Sequence, residues 1–437
     1  MGRILPWLAT GWKIASDKKS ITFTLRKGVK FHDGTDFNAE AAKWNMDQMK
    51  AKKKSGTSVW SSIDIIDDYT IRVNIKSFEN SVLNNMTSNT TMISPSAFKT
   101  KGIDWVRWHP IATGPFKFVS FKRDVVTKYK RNENYWQKGK PYLDEIELQY
   151  VKDPMTQSAV IQRGEGDLLR TDSGKLAYDL KAKGFKVIHA PVGTLHIMPD
   201  SANPSSPLSD KRVRQAIELA IDREAIVKAR GFGFWKTAYQ IPPQGTIAYN
   251  PDLEKRAAKY NPEKAKKLLT DAGYPNGFKI KIIPHPRALD KDAVVAMQSQ
   301  LGDVGIKVDI DFVTLGRFTQ HRLKGWHNAA LLDVVPNSPN YISGIGRIYS
   351  TKSPLYPSLK RSEEFKSALD AALKATDYET QKEMSKKVIR VMFDDLMIVP
   401  LYTFSRCIIT KKSVYDTGWL TSGHLSQWRP DNAWMSK

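Results

Sequence analysis

The chain has 437 residues, of which 41% are hydrophobic and 10% aromatic, with 68 Lys and Arg against 45 Asp and Glu for a formal charge of +23. That composition excludes whole-chain disorder, and the length predicts two or three lobes. A single cysteine, Cys407, excludes an internal disulfide framework and a cysteine-rich zinc site. Its apolar surroundings, Arg406-Cys407-Ile408-Ile409, predict a buried structural thiol. The basic residues are spread along the chain, as in Lys50–Lys54, Lys122–Lys130, Lys264–Lys267 and Lys411–Lys412. With no dedicated basic arm, the charge reads as a solvated lysine surface rather than a nucleic-acid stripe. No stretch reaches the ~18–20 apolar residues of a membrane span.

Residues 20–31 read as strand, with Ile21, Phe23 and Leu25 alternating against Thr22, Thr24 and Arg26. His32-Asp33-Gly34-Thr35 is a turn, because Asp-Gly supplies left-handed backbone. A helix follows over about Ala39–Lys52, then a strand at Ile71, Val73 and Ile75. Phe116 and Phe118, then Val125, Thr127 and Tyr129, then Ile146, Leu148 and Tyr150 mark three further strands. A helix is expected over Met155–Gln162.

From about 205 the pattern alternates between helix and strand. Asp210 caps a helix with Val213, Ala216, Ile217, Ala220 and Ile221 on one face. Asn261-Pro262-Glu263 opens another, because Asn accepts from free amides and Pro fits the first turn. Gly273 ends it. Phe278, Ile280 and Ile282 form a strand, Ala293–Val304 a helix, and Ile306, Val308, Ile310 and Phe312 a strand. Asn337–Pro357 reads as loop. Helices over Glu363–Ala375 and Thr380–Phe393 lead to a strand at Met397–Tyr402 and a β-rich, Trp-rich tail.

Enzyme chemistry finds no footing. There is no Gly-x-Ser-x-Gly elbow, and no His-x-x-x-His or His-Glu-x-x-His among the eight histidines. Thr171-Asp172-Ser173-Gly174-Lys175 resembles the end of a phosphate loop, but Leu169 and Leu176 occupy the positions of the first glycine and the Ser/Thr. Gly231-x-Gly233 and Gly344-x-Gly346 lack the third glycine of a dinucleotide fingerprint. Asp67-Asp68 and Asp394-Asp395 are adjacent in sequence, and in a strand such neighbours point to opposite faces. No catalytic set, cofactor or metal site is expected.

Six segments resemble the dipeptide/oligopeptide-binding family of ABC-importer receptors, the family 5 solute-binding proteins. They are Ile21–Thr35 with Phe37–Glu40; Ala112–Phe116 with Arg131-Asn132 and Tyr135-Trp136; Asp210–Ala216 with Ala220–Arg223; Asn261–Leu269 with Ala272–Tyr274; Gln300-Leu301 with Gly305–Val308; and Ile398–Tyr402. Each is sound strand, turn or helix chemistry by itself. Their order and spacing over nearly the whole chain carry the resemblance.

It implies an α/β fold of the two-lobed periplasmic-binding-protein type, cluster C, with an extra β-rich subdomain and ligand enclosed as the hinge closes. Mapped here, 1–108 is the β-rich subdomain of lobe I, 109–200 its main α/β part, 201–403 lobe II, and 404–437 the return to lobe I. Family members usually carry several dozen residues, including a signal peptide, before the Leu8-Ala9 segment. The expectation is therefore that the N-terminal part is missing and the chain begins inside the domain.

Peptide-binding members often carry an aspartate after a Gly-Trp pair to hold the peptide amine. The corresponding loop here runs Asn328 to Pro339, and its acid, Asp333, falls a few places early. A register from Gly325-Trp326 puts Ala330 near that position. A buried ammonium without its partner loses about 2–5 kcal/mol, which disfavours a free peptide amine. Expected ligand-binding residues are Trp235, Trp326, Asp333, Asn340, Tyr341, Arg347, Tyr402 and Arg406, since aromatics stack or pack and arginine pairs with carboxylate.

The expected function is capture of a small solute or peptide outside the membrane and delivery to an ABC-importer permease. The protein would be periplasmic, or extracellular and membrane-associated, and a monomer, with no nucleic-acid partner. Oligosaccharides, metal chelates and organic anions stand as alternative cargo. An exported hydrolase would show turnover, and an anionic-polymer binder a steep salt dependence.

Overall fold

In the computed structural model, the described residues are 4–54, 56–286, 290–336, 340–351, 353–419 and 428–436. They pack as two units: one is the stretch Arg170–Ile409, and the other is the chain up to Leu169 together with most of the tail after Ile409.

The larger unit is built on a sheet whose strands run in the order Lys236–Thr237, Val399–Thr410, Lys186–Pro199, Ala329–Pro336, Phe278–Pro284 and Ile306–Ile310. Phe278–Pro284 pairs in parallel with both of its neighbours, in register Ile280↔Val308 and Ile282↔Ala330. Parallel pairing needs crossovers, and the helices Lys291–Gly302 and Leu315–Lys324 supply them. Ala329–Pro336 then turns antiparallel to Lys186–Pro199, with Asp333 opposite His196.

Both faces of this sheet are covered, so its strands are apolar on both sides. Ala330 and Leu332 join Leu195, Ile217, Leu269 and Met297 in one core. Leu331 and Val335 join Met198, Phe318, Ile345, Phe365 and Met392 in the other. Burying such side chains stabilises by about 1.5–3 kcal/mol each.

The helix starts follow the caps. Asp210 accepts from the Arg212 amide at 2.8 Å ahead of Lys211–Ala220, and Asn261 from the Lys264 amide at 2.9 Å ahead of Pro262–Asp271. Gly273, at φ 92°, takes the left-handed backbone that stops the second helix.

Four expectations are corrected here. The strand expected over 20–31 ends at Leu25, and beyond it only Lys30 makes an isolated bridge, to Asp36. The loop expected over Asn337–Pro357 contains the helix Tyr341–Tyr349, whose N-cap is Asn340. Its apolar residues Tyr341, Ile342, Ile345, Ile348 and Tyr349 form one buried face, which outweighs Gly344 and Gly346. The strand expected over Met397–Tyr402 starts at Val399 and continues to Thr410, through Cys407. The strand expected to include Phe312 ends at Ile310. Cys407 is fully buried, and burial pushes its thiol up to about 12.

Among its described residues the other unit has three antiparallel sheets, the smallest being the pair Val414–Tyr415 and Trp434–Met435. The first orders Ala9–Ile14, Ser20–Leu25, Thr70–Ile75 and Trp60–Asp67, and the helix Ala39–Ala51 packs on it over Ile21, Phe37, Met46, Ile63 and Val73. The Asp33 carboxylate accepts from the Thr35 amide, and Gly34, at φ 88°, completes the expected turn. The second sheet is the meander Phe116–Lys122, Val126–Arg131 and Glu145–Gln149.

Candidate functional site

All eight expected ligand residues lie in the Arg170–Ile409 unit. The structure sorts them into three places.

Trp235 and Tyr402 meet. Lys236–Thr237 pairs with Val399–Thr410 so that Thr237 stands opposite Tyr402, which brings the preceding Trp235 alongside. The two rings stack at 4.5 Å and 6°. Gly231 makes room: a Cβ there would stand 2.5 Å from the Val227 carbonyl oxygen and 2.8 Å from the Trp235 Cβ. Tyr402 is only 2% exposed, yet neither its hydroxyl nor the Trp235 Nε1–H has a hydrogen-bond partner among the described residues. Buried polar groups are normally satisfied, and leaving one bare costs about 1–3 kcal/mol. An indole N–H can only donate and a phenol can do either, so the pair suits a polar group that accepts from Trp235.

Beside the stack, Arg230 grips Asp290 through Nε and Nη2 at 3.0 and 2.8 Å, and reaches Asp292 at 2.8 Å. Burial pushes the Tyr402 hydroxyl well above the ordinary phenol range, Asp290 adds to this and Arg230 opposes it, so it stays a neutral phenol. Farther along the same strand, Arg406 clamps Asp172 in a bidentate pair at 2.8 and 2.9 Å. Its guanidinium is thus held by a protein carboxylate.

Trp326, Asp333 and Tyr341 lie in the core on one face of the sheet. Trp326 is 2% exposed and edge-on to Tyr356. Tyr341 is 1% exposed, and its hydroxyl has no partner among the described residues. Asp333 is 3% exposed and committed: it accepts from the Tyr356 hydroxyl at 2.6 Å and from the Val334 amide at 2.7 Å, and pairs with Arg322 at 3.4 Å. Beside it, His196 donates from Nδ1 to the Thr194 carbonyl at 3.0 Å, and its Nε2 accepts from Tyr349 at 3.2 Å. Asp333, one of the expected ligand-binding residues, thus has these three partners inside the fold. His196, Arg322, Tyr349 and Tyr356 were missed, since nothing in their sequence spacing joins them. Asn340 caps a helix, and Arg347 is exposed on that helix.

Among the described residues no group of His, Cys, Asp and Glu is placed to hold a metal ion, and no helix is long and apolar enough to cross a membrane.

The fold is shared with solved structures. NikA from Brucella suis, in complex with Fe(III)-EDTA, superposes with a TM-score of 0.85 at 21% identity, covering 100% of this chain and 92% of NikA. A dipeptide-binding protein from Pseudoalteromonas sp. SM9913, in complex with Met-Leu, gives 0.79 at 25% identity, covering 98% and 90%. The architecture is thus the two-lobed α/β fold of periplasmic binding proteins.

Residues 3–354 match the model of the bacterial extracellular solute-binding proteins, family 5, middle region, and the chain belongs to this family. Among curated relatives, the glutathione-binding protein GsiB of Pectobacterium atrosepticum is 30% identical over 322 residues, 72% of this chain. The chain spans 62% of that relative's length.

Proposed function

We propose that this chain is the solute-binding receptor of an ABC importer. It captures a small solute in the periplasm, or outside the cell and associated with the membrane, and delivers it to a membrane permease. It acts as a monomer, performs no catalysis and takes no nucleic-acid partner. The observation that carries the reading, beyond family, is the Trp235–Tyr402 stack, where two sealed polar atoms on apolar rings have no partners among the described residues. Ligand sites combine such apolar walls with a few fixed polar groups. Of the eight expected residues, Trp235 and Tyr402 are the pair we assign to ligand contact.

The cargo we favour has no free amine at an Asp333-type position, because Arg322 and Tyr356 already occupy that carboxylate. Relatives and neighbours bind glutathione, a dipeptide and a metal chelate, so the family does not by itself select one chemistry. Packing units and the lobes that move on closure need not share boundaries. For the lobes we propose 1–108 and 109–200 with 404–437 on one side, and 201–403 on the other.

The test is thermal unfolding against peptides, oligosaccharides, metal chelates and organic anions. A cargo at 100 times its dissociation constant adds about 2.7 kcal/mol of stability. A shift confined to one class supports the reading. No shift across the panel, in folded and ligand-free protein, counts against it.

A further inference from the structure

An open groove of about 590 Å³ lies in the Arg170–Ile409 unit, and neither Trp235 nor Tyr402 is among its described lining residues. Hydroxyls from Ser350, Thr351 and Ser353, just after the helix Tyr341–Tyr349, form one wall. Lys360, Arg361 and Lys366, around the start of the helix Glu363–Lys374, form another. None of its described lining residues is Asp or Glu.

Arg361 is the unusual member. Its guanidinium makes four hydrogen bonds, all to backbone carbonyls: Nε to Tyr349 at 2.7 Å, Nη1 to Tyr356 at 3.3 Å and Leu359 at 3.1 Å, and Nη2 to Leu355 at 2.7 Å. Those oxygens satisfy donors but carry no full charge. Of the five N–H groups of an arginine, one is left over. Burial holds the guanidinium below its ordinary value, and the neighbour that opposes this is Tyr349. No carboxylate pairs with Arg361 among the described residues. Lys366 is paired with Glu363 at 2.5 Å, whereas Lys360 has no acidic partner among them. The groove thus holds two cations without counter-charge beside a row of hydroxyl donors.

We propose that this groove binds a phosphate- or sulfate-type oxyanion, through Lys360, the field of Arg361 and the Ser350–Ser353 hydroxyls. Such an anion presents several acceptor oxygens at once, and charge-assisted bonds to them are roughly twice as strong as neutral ones. The site is independent of the cargo site, and it gives part of the +23 charge a location.

The test is isothermal titration with inorganic phosphate, glycerol phosphate and phosphatidylglycerol vesicles, each against chloride at matched ionic strength. Saturable binding is expected for the wild type, weakened tenfold or more in Lys360→Glu and in Thr351→Glu. Both side chains are exposed, and circular dichroism checks that the variants fold. Preference for glycerol phosphate assigns the oxyanion to a soluble organic phosphate, and binding to vesicles alone assigns it to a lipid headgroup. Tyr402→Phe should leave phosphate binding unchanged, which separates this site from the cargo site. Equal responses to phosphate and chloride, or wild-type binding in both variants, would overturn the proposal.

Discussion

The Tyr356 hydroxyl donates to the Asp333 carboxylate at 2.6 Å, across 23 residues of sequence and inside the core. That bond, with Arg322 on the same carboxylate oxygen, supports the proposal that Asp333 is a structural anion rather than a ligand anchor.

Substituting Asp333→Asn should therefore destabilise the protein. Breaking a buried pair costs about 3–5 kcal/mol. The Arg322 side chain is 28% exposed, so water recovers part of this, and about 2 kcal/mol is expected from urea unfolding. Tyr356→Phe, which strips one donor from the buried carboxylate, should cost about 1–3 kcal/mol. Ligand affinity should survive both. A stable Asp333→Asn protein that no longer binds cargo would contradict the assignment.

His196 gives a pH dependence. Burial holds its imidazole below the ordinary 6.5; Asp333 opposes this shift and Arg322 adds to it. The unfolded chain thus takes up this proton first as the pH falls. The His196 contribution is complete above about pH 6.5 and is lost as the pH falls towards the folded value. The loss of stability between about pH 7 and 5 should be shallower in His196→Gln than in the wild type. His32 and His189 are also lowered by burial, but they titrate alike in both proteins and cancel in the difference. Identical slopes would show that His196 does not contribute.

Gly231→Ala tests what seats the stack. The new methyl would meet the Val227 carbonyl oxygen and the Trp235 Cβ. Overpacking of this kind costs about 1–3 kcal/mol, and Trp235 fluorescence should shift as its ring leaves Tyr402. An unchanged spectrum and stability would mean that the backbone absorbs the methyl.

Much of the fold was legible because caps and periodicity are local. Asp210 and Asn261 each mark a helix start by a side chain that must accept from nearby amides, and both do. Ile280 and Ile282 mark a strand by alternation alone. The helix at Tyr341 was hidden by its two glycines and the prolines around it, although its apolar spacing was present. The site was less legible because its pairs are made by tertiary register. Trp235 and Tyr402 meet only through the pairing of Thr237 with Tyr402. Trp326 and Tyr341 are aromatic like the stacked pair, and composition cannot tell which rings the fold brings together. Asp333 illustrates the same limit, since Arg322 and Tyr356 reach it from separate elements.

The most direct test of the receptor assignment compares wild type with Tyr402→Phe, measuring both unfolding free energy and affinity for whichever solute class stabilises the wild type. The Tyr402 hydroxyl has no partner among the described residues, so its removal should leave stability equal or slightly higher. Affinity should fall about tenfold, as expected when one hydrogen bond worth ~1.4 kcal/mol is lost. Lower stability with unchanged affinity would contradict the account, because the hydroxyl would then serve the core and not the cargo.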